Sequence, residues 1–338
     1  MSGGKTERLK GEQGIARAAE ILRSGGTVAF PTETVYGLGA NALDPAAVAK
    51  IFAAKERPGW DPVIAHVSER GMVDRIAEVS PAAERLMEAF WPGPLTLLLP
   101  RKGTVPDSVT AGRRLVGVRM PAHPLALALI RQAGLPIAAP SANRFGRTSP
   151  TSAAHVLADL DDRIDAVLDG GPTSVGVEST VIGPSEDGSG WLIYRPGGVS
   201  KEALERVLGA GTVAIFRPTE LQGTPDSLPS PGVGIRHYAP RARLVLVTSG
   251  PVEREVERLR ASGAAVGVML PEGWSEGGAE FVFDWGQWGD AEALARRLFA
   301  GLRCLDEAGA TVIVCPVPEM SGIGEAIRDR LQKAAREK

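Results

Sequence analysis

The chain has 338 residues, more than one hydrophobic core usually supports, so two domains of ordinary size are expected. Hydrophobic residues make up 43% and charged residues 23%, which suits a folded, loop-rich globular protein and excludes a disordered one. A formal net charge of -2 argues against a protein held to nucleic acid by a global positive field, so any anion site is built locally.

The N-terminus, MSGGKTERLKGEQG, has no apolar leader, and no run of about 18 apolar residues occurs, so a cytosolic protein without membrane insertion is expected. From Glu12 to Ser24 the apolar positions have helical spacing, and Gly25-Gly26 stops the helix before a strand at Thr27 to Phe30. Asp44-Pro45 starts a helix running to about Lys55, Ser80-Pro81 starts another through Phe90, and Gly134 closes one that begins near Pro124. Strands are expected at Val63 to Val67, Leu95 to Leu99, Val116 to Met120, Ile137 to Ala139, Ala166 to Leu168, Ser179 to Ile182 and Trp191 to Tyr194. Several lie too close together for crossover helices, so the α/β fold includes antiparallel pairing.

After Gly209 the texture changes. Phe216 to Pro240 is rich in proline and glycine and has no sustained period, which reads as an interdomain linker. A second alternation follows, with strands at Leu244 to Val247, Ala265 to Leu270, Phe281 to Phe283 and Thr311 to Val314. Helices are expected near Val252 to Ala261, Ala291 to Glu307 and Glu325 to Arg336, which together suggest a small parallel-sheet domain. Cys304 and Cys315 form no CxxC pattern and are expected to be buried small hydrophobes in a reducing compartment.

Three segments carry chemistry. Pro31 to Ala42 (PTETVYGLGANA) reads as a hydroxyl- and glycine-rich loop after a strand, suited to a ligand or to a plain polar turn; it is neither GxGxxG nor a P-loop. Lys55 to Pro62 (KERPGWDP) places cations before a proline-stiffened turn, where Arg57 can act as a bidentate fork toward phosphate or Lys55 can complement a helix dipole. Pro140 to Thr151 (PSANRFGRTSPT) holds five hydroxyl or amide side chains and two arginines, fit for phosphate and ribose oxygens or for capping a following helix. Arg119 and Arg195 lie in apolar strand runs and each requires an anionic partner if buried. The four histidines, His66, His123, His155 and His237, show no metal-ligand spacing, so no catalytic zinc is expected, and the absence of GxSxG weakens a serine-hydrolase reading.

In register, PTETVYGLGANA, AKERPGWDPVIAHV, WPGPLTLLLP, VGVRMPAHP, PIAAPSANRFGRTSPT, GVESTVI, RPG and HYAP resemble the YrdC-like threonylcarbamoyl-AMP synthases, over roughly residues 12 to 208, with the remainder resembling the longer two-domain branch. The resemblance implies a YrdC-like twisted mixed sheet with helices (12–209), a linker over the active site (210–240) and a smaller C-terminal α/β Rossmann-like domain (241–338). It implies condensation of L-threonine, bicarbonate and ATP, with magnesium, to threonylcarbamoyl-AMP and pyrophosphate, and partner transferase proteins that pass the group to position 37 of tRNA. Contact between tRNA and this chain is left open.

By the same resemblance Thr34, His66, Arg119, Ala139 and Ser179 surround the threonine or its carbamate. Arg57, Asp61, Leu115, Ser141, Asn143, Ser149, Arg195 and Tyr238 lie along ATP, with Thr32 and Lys55 close by; Lys55, Arg57 and Thr34 are the residues expected to carry catalysis. Leu115 and Ala139 act through backbone groups. The Arg144 to Arg147 stretch departs from the small residues and glycine of many relatives. A hydrogenase-maturation factor with a related domain would add an acylphosphatase-like domain and CxxC zinc motifs, which are missing here. A non-catalytic RNA-binding module would show salt-sensitive RNA binding without ATP turnover.

Overall fold

The computed structural model describes residues 5–185, 188, 190–217, 227–230 and 237–336. Two compact units emerge: Met1–Phe145 with Pro150–Ser174 and Glu178–Gly234, and Gly146–Ser149 with Val175–Val177 and Ile235–Lys338.

In chain order the first unit contains β1 (Glu7–Leu9), α1 (Gly11–Arg23), β2 (Val28–Pro31), β3 (Tyr36–Asn41), α2 (Pro45–Lys55), β4 (Ile64–His66), α3 (Arg70–Ile76) and α4 (Pro81–Phe90). There follow β5 (Leu95–Pro100), α5 (Asp107–Thr110), β6 (Leu115–Arg119), α6 (Pro124–Ala133), β7 (Ile137–Ala138), α7 (Ala153–Leu160), β8 (Ala166–Leu168), β9 (Thr180–Pro184), β10 (Trp191–Arg195), α8 (Lys201–Leu208) and β11 (Val213–Ile215). The strands form one mixed sheet in the order β1-β8-β2-β3-β7-β4-β6-β5-β9-β10-β11. Helix starts follow the local chemistry: the Asp44 carboxylate accepts from Ala46 N at 2.8 Å, and the Ser80 hydroxyl accepts from Ala83 N at 3.2 Å. Each of these two helices has proline in its first turn, where the missing N–H would have had no helical partner anyway. Gly134, at φ 70°, ends α6 in the left-handed conformation that favours glycine.

Half of the segment expected to be a polar loop is strand. Tyr36–Asn41 pairs antiparallel with β2, from Val28 opposite Gly39 to Pro31 opposite Tyr36. Its glycines serve close approach and not turn geometry: a Cβ on Gly39 would sit 2.7 Å from both Ile137 Cγ2 and Phe30 Cε1. Strand β11 lies inside the stretch expected to be linker, and residues 218–226 and 231–236 of that stretch fall outside the described residues.

The second unit carries β12 (Arg243–Val247), α9 (Val252–Ala261), β13 (Val266–Pro271), β14 (Phe281–Gly286), α10 (Ala291–Ala308), β15 (Val312–Pro316) and α11 (Gly324–Ala334). Its four strands are all parallel, in the order β12-β15-β13-β14. Trp285 is fully buried there, its indole N–H donating to Leu294 O at 2.8 Å. Cys315 is buried as expected, but Cys304 is exposed: it lies on α10, whose buried positions include Leu298, Leu302 and Leu305, on the helix's core-facing stripe. Among the described residues no helix is long and apolar enough to cross a membrane.

The substitution Gly39→Ala separates strand from loop. In a loop with ordinary φ it would stabilise the chain by about 0.4–1 kcal/mol; packed between Ile137 and Phe30 it is expected to cost about 1–3 kcal/mol. A urea melt reads the sign.

Candidate active site

Register places the expected site residues at the two ends of one sheet: the end of β2, the start of β3 and the end of β7 share one, and the ends of β4, β6 and β10 share the other with the starts of β5 and β9. Thr32 follows the end of β2, which lies opposite the start of β3; Ala139 follows β7; His66 ends β4 and stands beside Arg119 at the end of β6. Thr96 at the start of β5 and Thr180 at the start of β9 are brought to the same end as Arg119, since Leu97 faces Val118 and Leu95 faces Thr180. Arg195, at the end of β10, faces Val181.

The turn from β2 to β3 is folded by its own hydroxyls. Thr32 Oγ1 donates to Val35 O at 2.6 Å and accepts from the Thr34 and Val35 amides, each at 3.2 Å. With its proton so used, Thr32 accepts from the Thr34 hydroxyl 2.8 Å away. Arg119 Nη1 donates to Thr34 Oγ1 at 2.9 Å, so the Thr34 oxygen keeps one lone pair for an incoming donor. Arg119 is buried, and the anionic partner it requires is Glu33: Nη2 to Oε1 is 2.6 Å. Glu33 Oε2 accepts from Ala122 N at 3.0 Å, and Arg119 Nε donates to Gly93 O at 3.1 Å, which fixes the guanidinium plane. Glu33 was not singled out from the sequence, although it sits between Thr32 and Thr34; the demand for a carboxylate by Arg119 was the available signal.

Lys55, the last residue of α2, has its ammonium turned into the protein. Nζ donates to Ser141 O at 2.6 Å and to Asn143 O, while Lys55 O accepts from Phe145 N at 2.9 Å. Burial, with Arg57 adding repulsion, holds its pKa well below the usual lysine value. The 140–142 stretch is laced to β3 by Leu38 N to Pro140 O and Ala142 N to Tyr36 O, both 2.8 Å. Asn143 Nδ2 donates to Arg144 O at 2.8 Å, and exposed Glu56 ties Arg144 (2.6 Å) to Arg163 (2.9 Å).

Arg57 pairs with fully buried Asp61 at 2.9 Å and donates from Nε to Asp61 O (3.1 Å) and from Nη2 to Pro62 O (2.7 Å). The Phe145 ring lies 6.0 Å from the guanidinium and meets the Trp60 ring edge-on at 6.1 Å. Leu115 sits in the β5–β6 ladder opposite Pro100, and Ala139 N donates to Ile64 O at 2.8 Å.

His66 is buried, its Nδ1 has no hydrogen-bond partner among the described residues, and Phe30 meets its ring edge-on at 6.1 Å. Burial first, and Arg119 second, pull its pKa down to about 3, so the imidazole is neutral at physiological pH. Ser179 Oγ accepts from Arg195 Nη2 at 3.1 Å and lies 2.8 Å from Thr96 Oγ1, and Arg195 Nε donates to Ser179 O at 3.1 Å. Gly197 rests on this backbone: a Cβ there would be 2.2 Å from Thr180 N.

Ser149 and Tyr238 belong to the second unit. Ser149 is fully buried; Tyr238 is 1% exposed, with φ 65°, its ring stacked on Phe299 at 5.8 Å and 5.1 Å from the Arg330 guanidinium. Thr148 Oγ1 donates to Tyr238 O at 3.5 Å, and Ala239 N donates to Gly146 O at 2.9 Å. Among the described residues no group of three or more His, Cys, Asp or Glu side chains could hold a metal ion.

Comparison with known proteins bears on this geometry. Residues 20–197 match the family described as "Telomere recombination", and residues 199–336 match "Threonylcarbamoyl-AMP synthase, C-terminal domain". A threonylcarbamoyl-AMP synthase of Bacillus subtilis is 44% identical over 95% of this chain and 92% of its own length. One of Pyrococcus abyssi is 45% identical over 97% and 96%. A crystal structure of P. abyssi Sua5 complexed with L-threonine superposes with a TM-score of 0.89 at 42% identity, covering 98% of this chain and 97% of that one. Both family matches and the near-full-length relatives place the chain in the threonylcarbamoyl-AMP synthase family.

Proposed function

We propose that the chain condenses L-threonine, bicarbonate and ATP to threonylcarbamoyl-AMP and pyrophosphate, for transfer by partner proteins to position 37 of tRNA. The observation that carries this reading is the set of buried basic residues, Lys55, Arg57, Arg119 and Arg195, three of which contact the Thr34 and Ser179 hydroxyls and the Ser141 carbonyl. The L-threonine bound by the P. abyssi relative supports the amino-acid half.

Arg119, held flat by Glu33 and Gly93, offers the threonine carboxylate a fixed fork, and the remaining Thr34 lone pair suits its amine. Neutral His66, whose Nδ1 has no hydrogen-bond partner among the described residues, suits a polar group of the same substrate, beside Ser179 and the Ala139 backbone. ATP is taken by Arg57, Asp61, Ser141, Asn143 and Arg195 and by the Leu115 backbone. Magnesium enters with the triphosphate as part of the substrate.

The threonine amine adds to carbon dioxide from bicarbonate, forming an N–C bond and losing a proton. A carbamate oxygen then attacks the α-phosphorus as the bond to the β-phosphate oxygen breaks, and pyrophosphate leaves with that electron pair. No protein nucleophile is needed, so rate comes from alignment and from fixed positive charge opposite the developing pyrophosphate. By the same proposal the chain divides into a catalytic domain at 12–209, a linker at 210–240 and a C-terminal domain at 241–338.

Purified protein given ATP, magnesium, bicarbonate and L-threonine should release pyrophosphate and form a product with the mass of threonylcarbamoyl-AMP. Pyrophosphate that appears without threonine, or no adenylate at all, overturns the reading. Arg119→Lys keeps the charge but loses the fork and is expected to raise KM for threonine about tenfold or more, with KM for ATP little changed. Lys55→Met leaves the Ser141 and Asn143 carbonyls without their cation and is expected to lower kcat/KM for ATP about 100-fold in steady-state assays.

His66 also fixes a stability trend. Its folded pKa of about 3 lies below the unfolded value of 6.5, so between these values the unfolded chain binds the extra proton. That contribution is complete above pH 6.5 and is lost as pH falls toward 3, with a slope of about 1.4 kcal/mol per pH unit. His66→Asn should flatten the acid limb of a urea-melt series by about one proton.

A further inference from the structure

The segment WPGPLT carries no role in the reaction as derived above, yet it touches both arms of the threonine site. Gly93 O accepts from Arg119 Nε at 3.1 Å, Pro94 O accepts from Thr180 N at 3.0 Å, and the Thr96 hydroxyl lies 2.8 Å from that of Ser179. Thr96 is fully buried, Ser179 is 1% exposed, and among the described residues the Thr96 hydroxyl has no other hydrogen-bond partner. An arrangement needed only for packing would accept valine at this position on β5.

Proton counting shows what the hydroxyl adds. Ser179 Oγ has one hydrogen and two lone pairs. Arg195 Nη2 can only donate, and it fills one lone pair at 3.1 Å. If Thr96 donates into the other, the Ser179 hydrogen can point neither at Thr96 nor at Arg195 and must find an acceptor elsewhere. Resting on the reading above, we propose that Thr96 is a positioning residue that aims the Ser179 O–H at an anionic oxygen of threonine or its carbamate. Through Ser179 the same hydroxyl couples that oxygen to Arg195 on the ATP side, so one short chain, Thr96 to Ser179 to Arg195, spans both substrates.

Thr96→Val removes the director and keeps the branched shape; Thr96→Ser keeps the hydroxyl. Threonine affinity by calorimetry, KM for threonine and for ATP, kcat and Tm are measured for both variants and the parent protein. Thr96→Val is expected to weaken threonine binding and raise KM for threonine about tenfold, since a hydrogen bond to a charged group loses its alignment, with KM for ATP changed less than about threefold. Thr96→Ser should restore both to within about threefold of the parent. Parent-like threonine binding in Thr96→Val overturns the inference, as does a uniform loss in both KM values and Tm that serine fails to rescue. A parent protein that binds threonine but makes no adenylate sinks the synthase reading while the affinities still judge Thr96; one that binds no threonine sinks both.

Discussion

Four cations in the first unit, Lys55, Arg57, Arg119 and Arg195, are at least 93% removed from solvent, the least buried of them being Arg57 at 7% exposure. Stripping water from an ion costs several kcal/mol unless the protein replaces the lost solvation. Much of the local architecture is that replacement: two carbonyls for Lys55, a carboxylate and two carbonyls for Arg57, a carboxylate, a hydroxyl and a carbonyl for Arg119. The 140–145 loop takes its shape around the Lys55 ammonium, and the 32–35 turn is tied to Arg119. Cations locked in this way need not reorganise as negative charge shifts during reaction, the condition under which electrostatic catalysis is most effective.

Mixed strand pairing explains why the motifs are scattered along the chain. In an all-parallel sheet every ligand-facing loop follows a strand. Here antiparallel neighbours bring the starts of β5 and β9 to the same end as the finishes of β4, β6 and β10, and the start of β3 to the other end, where β2 and β7 finish. Residues just before a strand, such as Ser179, therefore stand beside residues that close one, such as Arg195 and Arg119. A single pattern cannot capture such a site; it needs eight short ones.

What could be read from sequence follows the range of the interactions involved. Helices with local stop and start chemistry, at Asp44, Ser80 and Gly134, fall within a residue of expectation, because a cap acts within one turn. The strand Tyr36–Asn41 was illegible since its glycines answer to Ile137 and Phe30, and Ile137 is about a hundred residues away in sequence. The three-residue strands β1 and β11 carry too little pattern to register. In the site, buried Arg119 announced the need for a carboxylate, but only the fold could select Glu33. The Lys55 ammonium reads from sequence as a phosphate ligand or a complement to a helix dipole, and only tertiary structure turns it onto the Ser141 and Asn143 carbonyls.

An eleven-stranded sheet is about 50 Å across at the usual spacing between strands, and an open sheet of that width ends in two rows of backbone donors and acceptors on which another chain could build. Both outermost strands are only three residues long: β1 carries Glu7, clasped by Arg17 at 2.8 Å, and β11 stops at Ile215. A second molecule adding laterally would gain a ladder too brief to repay its loss of freedom. The brevity of the two terminal strands thus lets the sheet grow wide without becoming a seed for fibrils.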